Sequence, residues 1–204
     1  HVTTGEGGMV SMNDKELFEK LSYLRSHGII SDPERLVNRV PNGQAPWYYE
    51  QQFLGYNYRI TDIQCALGLA QLDKLPSFIK RRREIFSNYN KAFAEKEFLQ
   101  IPFESQDSSA NWHLYVLCID FTKTGVGRAE LMNTFLEKNI RTQVHYIPAH
   151  LHPYYQEQFG YKMGDYPQAE AYYGRAISLP MYPALEDSDL GYVQENLFSI
   201  LEKV

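Results

Sequence analysis

A long helical pattern in the middle of the chain, from Thr61 to about Ala94, constrains the fold more than any other feature of the sequence. Thr61 and Gln64 have the spacing of a capping box, which marks where a helix begins. Apolar residues then recur at helical spacing, and Pro76 is predicted to restart a helix that continues to residue 94. We place a domain boundary within this long stretch, between residues 85 and 86.

The residues before this helix predict a strand, a shorter helix and a long irregular segment. Met9–Met12 is an apolar run that fits a strand. Asn13 offers a helix N-cap with Glu16 in capping-box position, and Gly28 is expected to end that helix. Residues 29–56 combine turn residues with aromatic ones, and such a long loop in a compact domain is usually functional. The turn residues of this loop are Pro33, Pro41, Gly43, Pro46 and Gly55.

The last ninety or so residues predict alternating strands and helices. Strands are expected from Trp112 to Asp120 and from Ile140 to Tyr146, with a helix at 128–138 between them. In the second strand, Gln143 and His145 would lie on one face because successive side chains of a strand point to opposite sides. In the helix at 128–138, the residues directed inward are Leu131, Phe135 and Leu136. The pattern ends with a short helix at 166–175, the segment Ile177–Pro180 and an amphipathic helix capped by Asp187 or Ser188. This order of elements indicates an α/β or α+β domain.

The composition is that of an ordinary globular protein. Of the 204 residues 44% are hydrophobic, and the formal net charge is −5, which disfavours nonspecific binding to nucleic acids. No run of about 18 apolar residues is present, so no membrane span is predicted. Cys65 and Cys118 indicate buried thiols in a reducing compartment, the cytoplasm, rather than a disulfide framework. The basic run Lys80–Arg83 is predicted to be a solvated helix face, and a site for an acidic ligand or a partner is the alternative.

Two segments near the start could bind an anion. The glycine-rich turn at residues 3–8 lacks the pattern of a phosphate loop and could simply connect two elements. In the segment 55–62 an extended backbone would put Asn57 and Arg59 on one face, directly before a helix N-terminus. An amide, a guanidinium and a helix N-terminus together suit a phosphate or a carboxylate. A capped loop with a surface arginine is the alternative.

A third candidate is the histidine-rich segment after the predicted second strand. His145, His150 and His152 invite a metal site, but their spacing does not match a helical zinc pair. We predict no metal and expect His145 to hydrogen-bond a polar ligand, with a packed aromatic loop as the alternative. The residues alone do not define a reaction type.

Several sequence runs, taken together and in this order, resemble the DegT/DnrJ/EryC1/StrS family of sugar aminotransferases. They are HVTTGEGGMV (1–10), LRSHG (24–28), LGYNYRITDIQCALGLAQL (54–72), VHYIP (144–148) and ISLP (177–180). Within the family, residues 45–51 and 145–155 look most like the pseudaminic acid branch. The resemblance implies the aspartate aminotransferase (type I) fold of pyridoxal-phosphate enzymes. Residues 1–85 would then complete the large cofactor-binding domain, and residues 86–204 would form the small C-terminal domain.

The resemblance also implies an activity. The cofactor would be pyridoxal 5′-phosphate, held by a lysine expected immediately before His1, since the first half of a family member is missing from this sequence. Glutamate would donate the amino group, leaving 2-oxoglutarate, and the acceptor would be a UDP-linked 4-keto-6-deoxy-N-acetylhexosamine. If histidine stood in place of that lysine, the family's dehydratase branch would be implied instead. A non-catalytic family member remains the third alternative.

Particular residues match family motifs. Asn57 matches the residue that reaches the phosphate of the cofactor in the neighbouring subunit, which implies a homodimer with shared active sites, and Arg59 is a candidate in the same loop. The segment that contacts the sugar nucleotide in the family is matched by Thr142, Gln143, Val144 and His145.

Overall fold

A computed structural model describes residues 1–38 and 45–202, and its contacts divide the chain into two compact units. One unit comprises Val2–Asp73, and the other comprises His1 with the chain from Lys74 onward. The division falls inside a helix, as expected, but earlier along it than the boundary predicted between 85 and 86. The assignment of residues 1–85 and 86–204 to the large and small domains of the type I fold stays a prediction.

The unit of residues 2–73 contains a helix, α1 (Lys15–Arg25), a short hairpin of β1 (Ile29–Ile30) and β2 (Glu50–Gln51), and the beginning of the second helix, α2 (Asp62–Phe93). The two strands pair antiparallel. A 3-10 turn, Pro33–Arg35, follows β1. Of the turn residues predicted in this loop, Pro41 and Gly43 lie outside the described residues.

Two details near the start of this unit differ from the predictions. The N-cap of α1 is Asp14, whose carboxylate accepts the backbone N–H of Leu17 at 3.0 Å, rather than Asn13. Residues 9–12 form no strand, and Met9 and Val10 are 90% and 73% exposed. The prediction of a strand is therefore wrong, because an apolar run becomes a strand only where another strand lies beside it.

The helix α2 is continuous over 32 residues, so the predicted restart at Pro76 is wrong. Proline inside a helix removes one hydrogen bond and costs about 3 kcal/mol. The second half of the helix offsets that cost by burying large side chains, which contribute roughly 1.5–3 kcal/mol each. The buried side chains of α2 are Arg82, Ile85, Phe86, Tyr89 and Phe93.

The other unit is built on a three-stranded antiparallel sheet in the order β3 (Leu99–Gln100), β4 (Tyr115–Ile119), β5 (Ala176–Leu179). The helices are α3 (Arg128–Glu137), α4 (Pro153–Phe159), α5 (Pro167–Arg175) and α6 (Asp187–Leu201), with a 3-10 turn at Ala149–Leu151. The predicted strand at 112–120 and the predicted helices at 128–138 and 166–175 are confirmed in this order. The N-cap of α6 is Glu186, not Asp187 or Ser188.

The predicted strand from Ile140 to Tyr146 is not formed. Only Gln143 pairs with a strand, through an isolated bridge to Ser178 at the edge of β5. The segment follows α3 closely, and Pro148 comes two residues after its end, which together leave little room for a ladder.

One face of the sheet and the helices α2, α3 and α6 share the core of this unit. In β4 the residues Tyr115, Leu117 and Ile119 alternate inward, as a half-buried strand requires. Leu131 and Phe135 of α3 are buried as predicted, whereas Leu136 is 55% exposed, contrary to the prediction. The core is completed from α6 by Leu190, Val193, Leu197, Ile200 and Leu201.

The prediction of a solvated face for the basic run on α2 holds for Lys80 and Arg83, which are exposed, and is wrong for Arg82. Arg82 is buried and donates from Nη1 to the carbonyl oxygens of Trp112, His113 and Met181 at 3.3, 2.9 and 3.2 Å. Arg81 binds the carboxylate of Asp187 at 2.8 Å, and Arg83 donates to Ser109. Helical periodicity places three consecutive side chains around the axis, so consecutive arginines on a helix buried on one side reach different partners.

Two further expectations concern the burial of the cysteines and the absence of a membrane span. Cys65 is exposed, although the sequence indicates a buried thiol, whereas Cys118 is partly buried and burial raises the pKa of its thiol. Across residues 1–38 and 45–202, none of the helices combines the length and the apolar character that crossing a membrane requires.

Candidate functional site

The loop that carries Asn57 is attached to the end of α1 by backbone hydrogen bonds and by two glycines. Tyr56 N–H donates to Leu24 at 2.7 Å, and Tyr58 N–H donates to Arg25 at 2.9 Å. A Cβ on Gly55 would lie 2.3 Å from the backbone nitrogen of Gly28. Because no side chain fits there, the chain can pass directly over the end of α1 only with glycine at position 55.

Gly28 is constrained in the same contact. Its φ is +69°, a conformation that glycine adopts at little cost, and a Cβ on it would lie 1.9 Å from the carbonyl oxygen of Phe53. The N–H of Gly28 donates to Tyr23, which closes the end of α1 as the sequence predicted. The two glycines therefore determine how closely residues 55–59 pass over the end of α1.

Asn57 and Arg59 lie on one side of this loop, as the alternation of an extended segment predicted. The Nε of Arg59 lies 3.4 Å from Oδ1 of Asn57, and both side chains are exposed. On the same loop the rings of Tyr56 and Tyr58 stack with their centroids 4.9 Å apart. The loop thus presents an amide and a guanidinium together.

The capping box at the start of α2 is confirmed. Thr61 N–H donates to Oε1 of Gln64 at 3.0 Å, and Gln64 N–H donates to Oγ1 of Thr61 at 3.3 Å. The Nε2 of Gln64 also donates to the carbonyl oxygen of Glu6 at 2.7 Å, which attaches the glycine-rich turn to the helix start. A Cβ on Gly68 would lie 3.1 Å from Thr4, so α2 and this turn are closely packed.

Three motifs that lie far apart in the sequence are therefore adjacent in the unit of residues 2–73. They are the glycine-rich turn 3–8, the end of α1 around Gly28 and the loop 55–61. An exposed amide, an exposed guanidinium and a helix N-terminus can together bind a phosphate group.

In the other unit, the segment Thr142–His145 is held against β5. Gln143 and Ser178 exchange backbone hydrogen bonds of 3.3 and 2.7 Å, and Nδ1 of His145 lies 2.8 Å from Oγ of Ser178. Val144 N–H donates to the side-chain oxygen of Gln143 at 2.9 Å. Neither interaction of Ser178 could be read from the sequence, because the bridge joins residues 35 positions apart.

A groove of about 480 Å³ lies alongside this segment. Thr142, Gln143 and His145 line it, whereas Val144 does not. Arg141 and Asn133 lie on the same groove, which therefore combines amide, imidazole, hydroxyl and guanidinium groups. Such a set suits a ligand with several oxygen atoms.

The remaining histidines of this region serve other contacts. His150 is buried, and its Nε2 lies 2.9 Å from Oε1 of Glu170. This hydrogen bond from His150, with those from the backbone N–H groups of Gly164 and Tyr166, lowers the pKa of the Glu170 carboxyl. Within residues 1–38 and 45–202, no group of three His, Cys, Asp or Glu side chains is arranged to hold a metal ion.

Sequence reasoning also missed a buried carboxylate in the unit of residues 2–73. Glu50 is buried and accepts hydrogen bonds from the backbone N–H groups of Val37 and Asn38, both at 2.7 Å. These bonds, that of Val37 first, lower the pKa of Glu50 to about 2. A glutamate between aromatic and glutamine residues carries no sequence signal for such a role.

Comparison with known proteins places the chain among sugar aminotransferases. The sequence pattern of the DegT/DnrJ/EryC1/StrS aminotransferase family matches residues 1–198. The spore coat polysaccharide biosynthesis protein SpsC of Bacillus subtilis is 43% identical over 203 residues, which are 99% of this chain and 51% of SpsC. A UDP-4-amino-4,6-dideoxy-N-acetyl-beta-L-altrosamine transaminase of Campylobacter jejuni is 35% identical over 203 residues, which are 100% of this chain and 50% of the transaminase.

Solved structures give the same result. Helicobacter pylori PseC, an aminotransferase involved in pseudaminic acid biosynthesis, matches with a TM-score of 0.79 and 25% identity over 95% of this chain and 48% of its own. The pyridoxal-phosphate form of the sugar aminotransferase Spr1654 from Streptococcus pneumoniae matches with a TM-score of 0.77 and 26% identity over 94% of this chain and 45% of its own. The chain thus spans about half the length of the relatives it matches.

Proposed function

Because the chain belongs to the DegT/DnrJ/EryC1/StrS aminotransferase family and has its α/β fold, we propose that the protein transfers an amino group from glutamate to a UDP-linked sugar. The acceptor would be a 4-keto-6-deoxy-N-acetylhexosamine, and the product a 4-amino sugar nucleotide for a pseudaminic acid type of glycan. The observation that carries the proposal is the 35% identity, over the whole chain, to a transaminase acting on that class of sugar nucleotide.

Aminotransferases of this family use pyridoxal 5′-phosphate, and the loop 55–61 has the chemistry to hold its phosphate. Asn57 and Arg59 present N–H donors side by side, and both are exposed. The α2 N-terminus directly follows them and adds the positive end of a helix dipole. When bound, the cofactor supplies the electron sink for transamination. Asn57 and Arg59 would orient its phosphate, in the active site of a partner subunit if the protein is a homodimer.

The groove beside β5 suits the sugar nucleotide. Gln143 offers an amide and His145 an imidazole, and the hydroxyl of Thr142 lies on the same groove. These groups can bind hydroxyl, carbonyl and phosphate oxygens and so orient a sugar relative to the cofactor. Val144, which does not line the groove, would contribute through its backbone. The substrates and the redox state of the cysteines both suit a cytoplasmic enzyme.

The test uses the natural full-length protein, purified with its cofactor. We expect formation of 2-oxoglutarate from glutamate only when the UDP-linked keto sugar is present, with an amino sugar nucleotide formed in equal amount. Borohydride reduction followed by peptide mass analysis should find pyridoxyl phosphate on a lysine directly before His1. Consumption of the keto sugar without formation of an amino sugar nucleotide would instead make the protein a dehydratase, and absence of cofactor would make it non-catalytic.

A further inference from the structure

Ser178 is a buried polar residue whose role follows from its surroundings. It lies in β5 between Ile177 and Leu179 and is only 5% exposed, while its neighbours are 0% and 4% exposed. β5 pairs with β4 along its whole length, with Val116 opposite Ser178. Its position is therefore fixed by the sheet and by the core.

The hydroxyl of a buried serine must donate its hydrogen bond to some acceptor, because leaving a buried donor unsatisfied costs roughly 1–3 kcal/mol. Among the described residues, the hydrogen-bond partner of Ser178 Oγ is Nδ1 of His145, at 2.8 Å. The backbone groups of Ser178 are already engaged with Gln143. The hydroxyl therefore donates to Nδ1, which must carry the lone pair, so the neutral His145 ring carries its hydrogen on Nε2.

Ser178 also sets the position of Gln143. Its backbone N–H donates to the carbonyl oxygen of Gln143 at 2.7 Å, and its carbonyl oxygen accepts the N–H of Gln143 at 3.3 Å. No strand carries the segment 140–146, and among the described residues this bridge and the His145 contact are the hydrogen bonds that join it to the sheet. Both Gln143 and His145 line the groove that we assign to the sugar nucleotide.

We infer that Ser178 is a positioning residue for substrate binding, which fixes the tautomer and orientation of His145 so that Nε2–H donates to an oxygen of the sugar nucleotide. The role of the groove rests on the proposed function. The hydrogen bond between Ser178 and His145 does not, and it can be tested without any substrate. A ring already held in the bound orientation loses little rotational freedom on binding, which favours affinity.

The first experiment is nitrogen-15 NMR of the His145 ring in the substrate-free, full-length holoenzyme. We expect the Nε2–H tautomer in the natural protein, and in Ser178→Ala a displaced Nδ1 resonance, because its donor is gone. Observation of the Nδ1–H tautomer, or an Nδ1 resonance unmoved by Ser178→Ala, overturns the inference. The measurement on the natural protein decides the matter even if the variant folds poorly.

The second experiment is a double-mutant cycle on the KM for the UDP-linked keto sugar. Ser178→Ala should raise that KM roughly tenfold, the equivalent of one net hydrogen bond, and leave the half-reaction with glutamate unchanged. In a His145→Ala background it should have no further effect. The control is Ser199→Ala, which removes the hydroxyl of an exposed serine bonded to the carbonyl oxygen of Asn196 and should leave the KM unchanged.

The outcomes separate the two hypotheses. If Ser178→Ala raises the KM as much in the His145→Ala background as alone, the serine does not act through His145 and the inference is overturned. If the natural protein does not turn over the nucleotide at all, the proposed function falls, and the NMR measurement still decides whether Ser178 holds His145.

Discussion

Glu50 shows how one carboxylate can join residues from two sides of a turn region. Its two oxygens accept hydrogen bonds from the backbone at Val37 and Asn38 and from the side chain of Gln52, each at 2.7 Å. A carboxylate that accepts several N–H bonds is stabilised in its charged form, which is why the pKa of Glu50 falls to about 2. The charged form is therefore part of the folded structure around Val37, Asn38 and Gln52.

The lowered pKa of Glu50 predicts a pH dependence of stability. Because the folded pKa lies below the unfolded value of about 4.3, the stabilisation is fully present above pH ~4.3 and is lost as the pH falls towards 2. Urea unfolding of full-length Glu50→Gln should show a lower free energy of unfolding than the natural protein at pH 7, with the difference shrinking in acid. The exposed residue Glu16 provides the control, since Glu16→Gln should leave no such pH-dependent difference.

Asn57 tests the cofactor assignment at the same scale. Removing its amide in Asn57→Ala should weaken the binding of pyridoxal 5′-phosphate by roughly 1–3 kcal/mol, the contribution of a hydrogen bond to a charged group. Absorbance titration of the full-length apoprotein measures this affinity. Asn13→Ala, an exposed asparagine in the same unit but in a different loop, serves as the control. An unchanged affinity in Asn57→Ala would remove Asn57 from the phosphate site.

At the residue scale, the sequence predicts those side-chain positions that depend only on neighbouring residues. Alternation placed Asn57 and Arg59 together, and spacing identified the capping box of Thr61 and Gln64. The backbone partners of Glu50 and the partners of Ser178 could not be predicted, because each contact joins residues that are far apart in the chain and no local pattern shows that they meet.

The arginines of α2 make a prediction at the scale of elements. Arg82 brings one guanidinium nitrogen to three carbonyl oxygens, from the chain before β4 and the chain after β5. Replacing it in Arg82→Met keeps the apolar stem but leaves those oxygens without their charged donor, at a cost of about 2–3 kcal/mol in the free energy of unfolding.

The measurement is urea unfolding of the full-length protein, with Lys80→Met as the matched control. Lys80 is exposed on the same helix, so its replacement should change the free energy of unfolding by less than about 0.5 kcal/mol. Equal effects of the two substitutions would contradict the role given to Arg82.

Elements with a strong internal pattern were predicted well, and those that depend on neighbours were not. Capped helices and the alternating strand β4 carry their own signal. Residues 9–12 and 140–146 have strand-like composition but lack a partner along their length, and α2 continues through Pro76 because its later turns are buried. Tertiary packing therefore overrode local propensity at each of these places.

The two units differ in how much apolar surface each buries by itself. The unit from Lys74 onward has a continuous core around β4, α2 and α6. Among the described residues of the unit 2–73, Ile30 is the one large apolar side chain that is buried, and Met9, Leu54 and Ile63 are exposed. Burial of apolar surface is the main favourable term in folding, so the two units should not be equally stable.

We expect residues 74–204 to fold when expressed alone and residues 2–73 not to. A chain beginning at Lys74 has Pro76 in its first helical turn, where proline is tolerated. Circular dichroism during urea titration should give a cooperative transition for 74–204 and none for 2–73, which should also bind a hydrophobic dye. A cooperative transition for the isolated fragment 2–73 would contradict this reading of its burial.

At the scale of the whole molecule, the combined motifs predicted the family and the α/β fold, and both are confirmed. The exact place where the chain divides was harder to predict. The division lies between Asp73 and Lys74, inside α2. Because the helix is continuous there, the sequence shows no turn or break that marks the position.

The long-range contacts of α2 also have a consequence for the order of events on the ribosome. The partners of Arg81 and Arg82 include Met181, Leu185 and Asp187, which lie 99 to 106 positions later in the chain. At a synthesis rate of about 5–20 residues per second, these partners are made roughly 5–20 seconds after the arginines. Until Met181, Leu185 and Asp187 have been made, burial of these guanidinium groups would leave them without those partners, and that cost opposes premature burial of the helix against a wrong partner.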